Sequence, residues 1–157
     1  MITIHSILGE GFTMYQANKV LRAIEAGVAA WNNPSFGKRV LDASFSQTSD
    51  SSRDVWLNLT SNKNKIARIE INNTPNGSET AATNTVTGVI SLQVVYLNKC
   101  STEDLIETLF HELTHCPEQG AYKHSYLGWG PWKNRYWSVP YQFGRMVSQM
   151  AQEMKLV

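Results

Sequence analysis

Hydrophobic and polar positions along this chain recur with two periods. Ile2-Thr3-Ile4-His5-Ser6-Ile7 has the two-residue period of a short strand. From about Thr13 the period lengthens to that of a helix. Met14, Ala17, Leu21, Ile24, Val28 and Trp31 share one face, and Asn32-Asn33-Pro34 ends the run. Val40–Phe45 and Asp54–Leu59 alternate or run apolar, which predicts two strands joined by a Ser/Asp-rich turn. Ile66-Ala67-Arg68-Ile69-Glu70-Ile71 alternates cleanly and predicts a strand with one wet face. Residues 72–87 are polar and rich in Thr, Asn and Gly, as in a surface loop or hairpin arm. Val89–Leu97 is a long β-branched run, read as a strand feeding the next helix.

That helix has the clearest signals in the chain. Ser101-Thr102-Glu103-Asp104 forms a capping box, with Ser101 as cap and Asp104 closing it. Leu105, Ile106, Leu109, Phe110, Leu113 and Cys116 follow helical spacing, and Pro117 stops the run. The opposite face carries Thr108, His111, Glu112 and His115 toward solvent or a cleft. Pro140 begins a last helix with Phe143, Val147, Met150 and Met154 toward the core. There are no repeats and no domain linker, so residues 1–157 read as one domain. Its sheet part covers about 1–116 and its lower part about 117–157. The expected class is α+β: a twisted mixed sheet backed by the N-terminal helix, with a second helix beneath it and a C-terminal helix after that.

Composition narrows the function. Hydrophobic residues make up 42% and aromatics 10%, ordinary globular values. With 14 basic and 13 acidic residues and no basic run, nucleic acid is not an expected partner. No apolar stretch has transmembrane length, so a membrane is not expected either. The N-terminus lacks a basic region and a cleavage site. Cytoplasmic synthesis is therefore expected, with any export by a signal-peptide-independent route. Cys100 and Cys116 flank the capped helix; sixteen helical residues span about 24 Å, and a disulfide needs Cα atoms within about 7 Å. Two reduced thiols are expected, with Cys116 in the core rather than on a metal.

The chemistry lies in His111-Glu112-Leu113-Thr114-His115. Histidines four apart on a helix stand one above the other, so both imidazoles can reach one Zn²⁺ at about 2.0–2.1 Å. Glu112 between them is placed to deprotonate a water activated by the metal. A catalytic zinc usually takes three protein ligands. His124, nine residues after His115, is the favoured third. Glu153 on the last helix is an alternative, Glu118 lies too close to His115, and His5 is assigned a structural place. Tyr122, Tyr126, Arg135, Tyr136 and Tyr141 are candidates to stabilise an oxyanion, with Tyr136 and Tyr141 preferred. Trp129, Trp132 and Trp137, with Gly128 and Gly130, suggest an aromatic wall under the cleft or a small second core. Met146 is assigned to the last helix.

On its H-E-x-x-H motif, and on the order of elements around it, the chain resembles the zincin metallopeptidases. It departs from the metzincin pattern, which wants glycine and histidine where Glu118 and Ala121 stand. The wider spacing to His124 and the small size look more like compact metallopeptidase domains of bacterial toxins and secreted effectors. The resemblance implies a minimal zincin-like fold and a zinc-dependent endopeptidase. Glu112 would be the general base, His111, His115 and His124 the ligands, and a polypeptide the substrate. An edge strand, either Ile66–Ile71 or part of Val89–Leu97, would pair with that substrate unless both strands are interior. The chain begins almost at its first strand, without an inhibitory prosegment. Narrow specificity, or delivery to another cell with an inhibitor or immunity protein at home, is expected. The rival readings are a small zinc-dependent nucleic-acid hydrolase and a non-catalytic binding module whose motif is accidental or holds a structural metal.

Overall fold

Six helices and one four-stranded sheet make up the described part of the fold, an α+β arrangement, in a computed structural model covering residues 1–46, 48–73, 80–116, 122 and 137–157. In chain order the elements are β1 (Thr3–Leu8), α1 (Met14–Trp31), α2 (Pro34–Leu41), α3 (Ser52–Ser61), β2 (Asn64–Asn72), β3 (Ala81–Thr83), β4 (Val89–Gln93), α4 (Val94–Lys99), α5 (Thr102–Leu113) and α6 (Val139–Glu153). The strand order is β1-β2-β4-β3. β1, β2 and β4 run parallel, and β3 runs antiparallel to β4 at the edge. β2 keeps the alternation read from its sequence. Ala67 and Ile69 are buried, while Ile66, Arg68 and Glu70 face out. The strands read as candidate edges are interior: β2 lies between β1 and β4, and β4 between β2 and β3. The edge on the β4 side is β3, inside the segment read as a polar arm.

Neither Val40–Phe45 nor Asp54–Leu59 is a strand: Val40 and Leu41 end α2, 42–45 lie in no helix or strand, and Asp54–Leu59 falls within α3. Val40 belongs to α2, where Asn33 caps the helix by accepting from Ser35 N at 3.0 Å and Pro34 opens it. The proline that stops α1 thus also starts α2, because its fixed φ suits a first helical turn. Val55 and Leu59 lie one turn apart in α3, both buried. Ser51 and Asp54 form a capping box of the same kind as Ser101 and Asp104. The run Val89–Leu97 breaks after Gln93 into the short helix α4, which turns the chain from the sheet toward α5.

α1 begins close to the expected start, with Thr13 as its cap, but presents another face. Met14 and Leu21 are exposed, and Val20, Ala23, Ile24, Ala26, Gly27, Ala30 and Trp31 are buried. The small residues admit a large partner: a Cβ on Gly27 would stand 2.1 Å from the Phe110 ring. Phe110 and Phe143 meet Trp31 edge-on, at 6.0 and 4.8 Å between centroids. Burying such aromatic side chains gives the core much of its stability. α1 and α5 pack against the sheet, and α6 packs against α1, α2 and α5. Phe143, Val147 and Met150 point inward as expected. Neither cysteine is in a disulfide, and Cys116 is buried. Among the described residues no helix is long and apolar enough to cross a membrane.

Candidate metal centre

The end of α5 and two neighbouring elements build the site. The Ser101 hydroxyl accepts from Asp104 N at 3.1 Å, which satisfies one of the open N–H groups at the helix start. The α-helix ends at Leu113, earlier than the proline at 117 implied. The next turn tightens: Thr114 N donates to His111 O at 3.1 Å, His115 N to Glu112 O at 3.0 Å, and Cys116 N to Leu113 O at 3.1 Å. These three-residue bonds are of 3₁₀ type, a common way to satisfy terminal carbonyls. His115 therefore lies just past the α-helix, yet its Nε2 still stands 3.3 Å from Nε2 of His111.

The polar face of α5 is not turned to solvent. His111, Glu112 and His115 are each only 8% exposed. α6 covers one flank, where a Cβ on Gly144 would fall 2.3 Å from Glu107 O and 3.0 Å from His111 N. The Tyr141 ring meets the His111 imidazole edge-on at 4.4 Å. β3 covers the other flank. The Thr83 hydroxyl donates to Glu112 Oε2 at 2.6 Å and lies 3.1 Å from the Glu112 carbonyl. That length is typical of a hydroxyl on an ionised carboxylate. The second oxygen, Oε1, lies 3.8 Å from His111 Nε2.

The protonation pattern of His115 follows from its partner. Nδ1 faces the carbonyl of Tyr122, and a carbonyl only accepts, so Nδ1 carries the proton and Nε2 presents a lone pair toward His111. Burial lowers the pKa of this imidazole, and the bond to Tyr122 offsets part of the shift. The neutral form is the one a metal needs. His111, Glu112 and His115 together could hold a metal ion, since their ligand atoms all lie within 4.8 Å of one another.

Of the predicted site residues, His111, Glu112, His115 and Tyr141 come together. His124 and Tyr136 lie outside the described residues, as do Glu118, Tyr126, Gly128, Trp129, Gly130, Trp132 and Arg135. Glu153, the alternative ligand, is instead paired with Arg39 at 2.7 Å. Trp137 is 55% exposed. Its carbonyl accepts from Ser46 N at 2.8 Å and from Gln142 Nε2 at 3.0 Å, tying down the start of α6. Met146 is buried on α6, as expected. Sequence reasoning missed Thr83, which no motif marks. It also assigned Tyr122 by its hydroxyl, whereas its carbonyl is what meets the site. Neither a protein-family model nor a curated protein sequence matches the chain.

Proposed function

We propose that this chain is a zinc-dependent endopeptidase of the zincin type, with His111 and His115 as ligands and Glu112 as general base. One observation carries the reading: two buried imidazole nitrogens face each other at 3.3 Å beside a buried carboxylate. Two nitrogens held by one tetrahedral zinc at about 2.0–2.1 Å stand about 3.3–3.4 Å apart. The donor set therefore fits the ion. His124 is the proposed third ligand. It follows by two residues Tyr122, whose carbonyl meets His115.

Bound zinc supplies a Lewis acid that polarises the scissile carbonyl and acidifies water. The rest falls to the chain. Thr83 holds Glu112 Oε2, which leaves Oε1 on the histidine side to take a proton from the attacking water. The same oxygen then passes that proton to the leaving amine. Tyr141, against His111, is the proposed donor to the oxyanion, with Tyr136 as the other candidate. β3 ends at Thr83 and is the edge strand on this side, which supports a polypeptide substrate pairing with it in extended form. An inhibitor protein in the producing cell would follow from such an activity.

The test combines metal analysis of purified protein with cleavage of a peptide library and of RNA, by wild type and Glu112→Gln. We expect one equivalent of zinc in both proteins. We also expect peptide cleavage that falls at least ~100-fold in the variant, with RNA intact. Protein without stoichiometric metal, or a variant that cleaves as well as wild type, overturns the reading.

A further inference from the structure

We infer that Asp50, Asn58 and Tyr122 are positioning residues that set the ring orientation and tautomer of His115 from a distance. The inference deepens the metal reading and rests on it for its functional meaning. Tyr122 clasps the end of the motif at two points. Its N–H donates to Thr114 O at 2.9 Å, and its carbonyl accepts from His115 Nδ1. A backbone carbonyl beyond a helix end is a useful partner only if something holds it still.

The phenol does so. The Tyr122 hydroxyl donates to Asp50 Oδ2 at 3.0 Å and accepts from Asn58 Nδ2 at 3.0 Å. Asn58 Nδ2 also lies 3.2 Å from Asp50 Oδ2, closing a triangle. The hydroxyl uses its one proton and a lone pair, so rotating it away breaks two bonds. Tyr122 as a whole is 8% exposed. Burial and the nearby Asp50 carboxylate push the phenol's pKa up to about 12, and it remains a donor at neutral pH. Asn58 sits on α3, and Asp50 directly precedes its cap Ser51. α3 is anchored by its capping box and by Val55 and Leu59 in the core. A rigid element remote in sequence thus fixes the carbonyl that fixes the imidazole. Outer partners of metal-binding histidines typically change metal affinity about 10–100-fold when removed.

The variants are Tyr122→Phe, Asp50→Ala and Asn58→Ala, with Asp50→Asn as the conservative change that keeps an acceptor. Two measurements are made on each folded protein. Zinc affinity is read by chelator competition. The His115 tautomer is read from imidazole ¹⁵N shifts of metal-free protein at mildly alkaline pH. We expect zinc affinity to fall about tenfold in the first three variants, and the single Nδ1–H tautomer of wild type to become a mixture. Asp50→Asn should stay near wild type in both. If Tyr122→Phe does not fold, Asp50→Ala and Asn58→Ala carry the same readouts. Unchanged affinity together with a single His115 tautomer in the variants overturns the inference. If wild type binds no zinc, the metal reading fails, and the tautomer measurement alone decides whether the network positions His115.

Discussion

Replacing Gly144 by alanine sets two effects of opposite sign against each other beside the candidate metal centre. In an exposed helix interior the change should stabilise by about 1 kcal/mol, because alanine has the better helix propensity. Here α6 crosses α5 so closely that the new Cβ would lie 2.3 Å from Glu107 O, 3.0 Å from His111 N and 3.2 Å from His111 Cβ. Non-bonded carbon contacts are comfortable near about 3.5 Å, so the first contact is more than ~1 Å too short. The obstructing atoms are mainly backbone and cannot swing aside. Separating the helices loosens Phe143 and Val147, which α6 buries. Overpacking of this kind costs about 1–3 kcal/mol, which outweighs the propensity gain or at the least cancels it. At this chain length about 1 kcal/mol corresponds to ~2–4 °C in Tm. Thermal unfolding followed by circular dichroism should thus show Gly144→Ala melting no higher than wild type and up to ~8 °C below it. Zinc affinity should fall with it, since His111 is the residue displaced. A melting temperature raised by a few degrees with zinc affinity intact would refute the close-crossing argument.

Thr83→Val keeps the shape of the side chain but removes the donor to Glu112 Oε2. A lost hydrogen bond to a charged group is worth about 1.5–3 kcal/mol, so turnover of a cleaved peptide should drop roughly 10–100-fold. Thr83→Ser should recover most of it, and wild-type kinetics in the valine variant would dismiss Thr83 as an anchor. Glu107 lies half-buried between α5 and α6; burial raises its pKa above the ordinary 4.5, while Arg145 opposes the shift. The native state then holds the proton to higher pH than the unfolded chain, so stability declines as pH rises from about 4.5 through the raised value. Glu107→Gln should flatten that decline in urea midpoints measured from pH 4.5 to 7.5, and parallel curves would exclude it.

What could be read from the sequence depended on how local the determining physics is. The start and inward face of α5 were legible because a capping box and a stripe of large apolar residues both speak within a few positions. The facing imidazoles followed from the same local spacing, although the helix ends before the second. α3 carries an equivalent Ser-x-x-Asp signal, but 54–59 also has the alternation of a strand, and the burial of Val55 and Leu59 one turn apart is what a helix achieves there. α1 was rotated because its buried side is built from Ala23, Ala26, Gly27 and Ala30. Small residues score low in hydrophobicity and matter here only because Phe110 needs the space. Thr83, Asp50 and Asn58 were beyond local reading altogether. Each reaches the site by tertiary contact with a residue far along the chain, and a polar residue in a polar stretch carries no mark of that.

The hairpin from β3 to β4 acts as a ruler. Asn84 accepts from Val86 N and Thr87 N, both at 3.0 Å, and Gly88 takes the left-handed φ of 70° that ends the turn. That turn fixes Thr83 opposite Ile90. Side chains alternate between the two sides of a strand, so a shift of one position would hand the carboxylate a methyl group from Ala82 in place of a hydroxyl. The number of residues between Asn84 and Gly88 therefore dictates which way the Glu112 carboxylate is held.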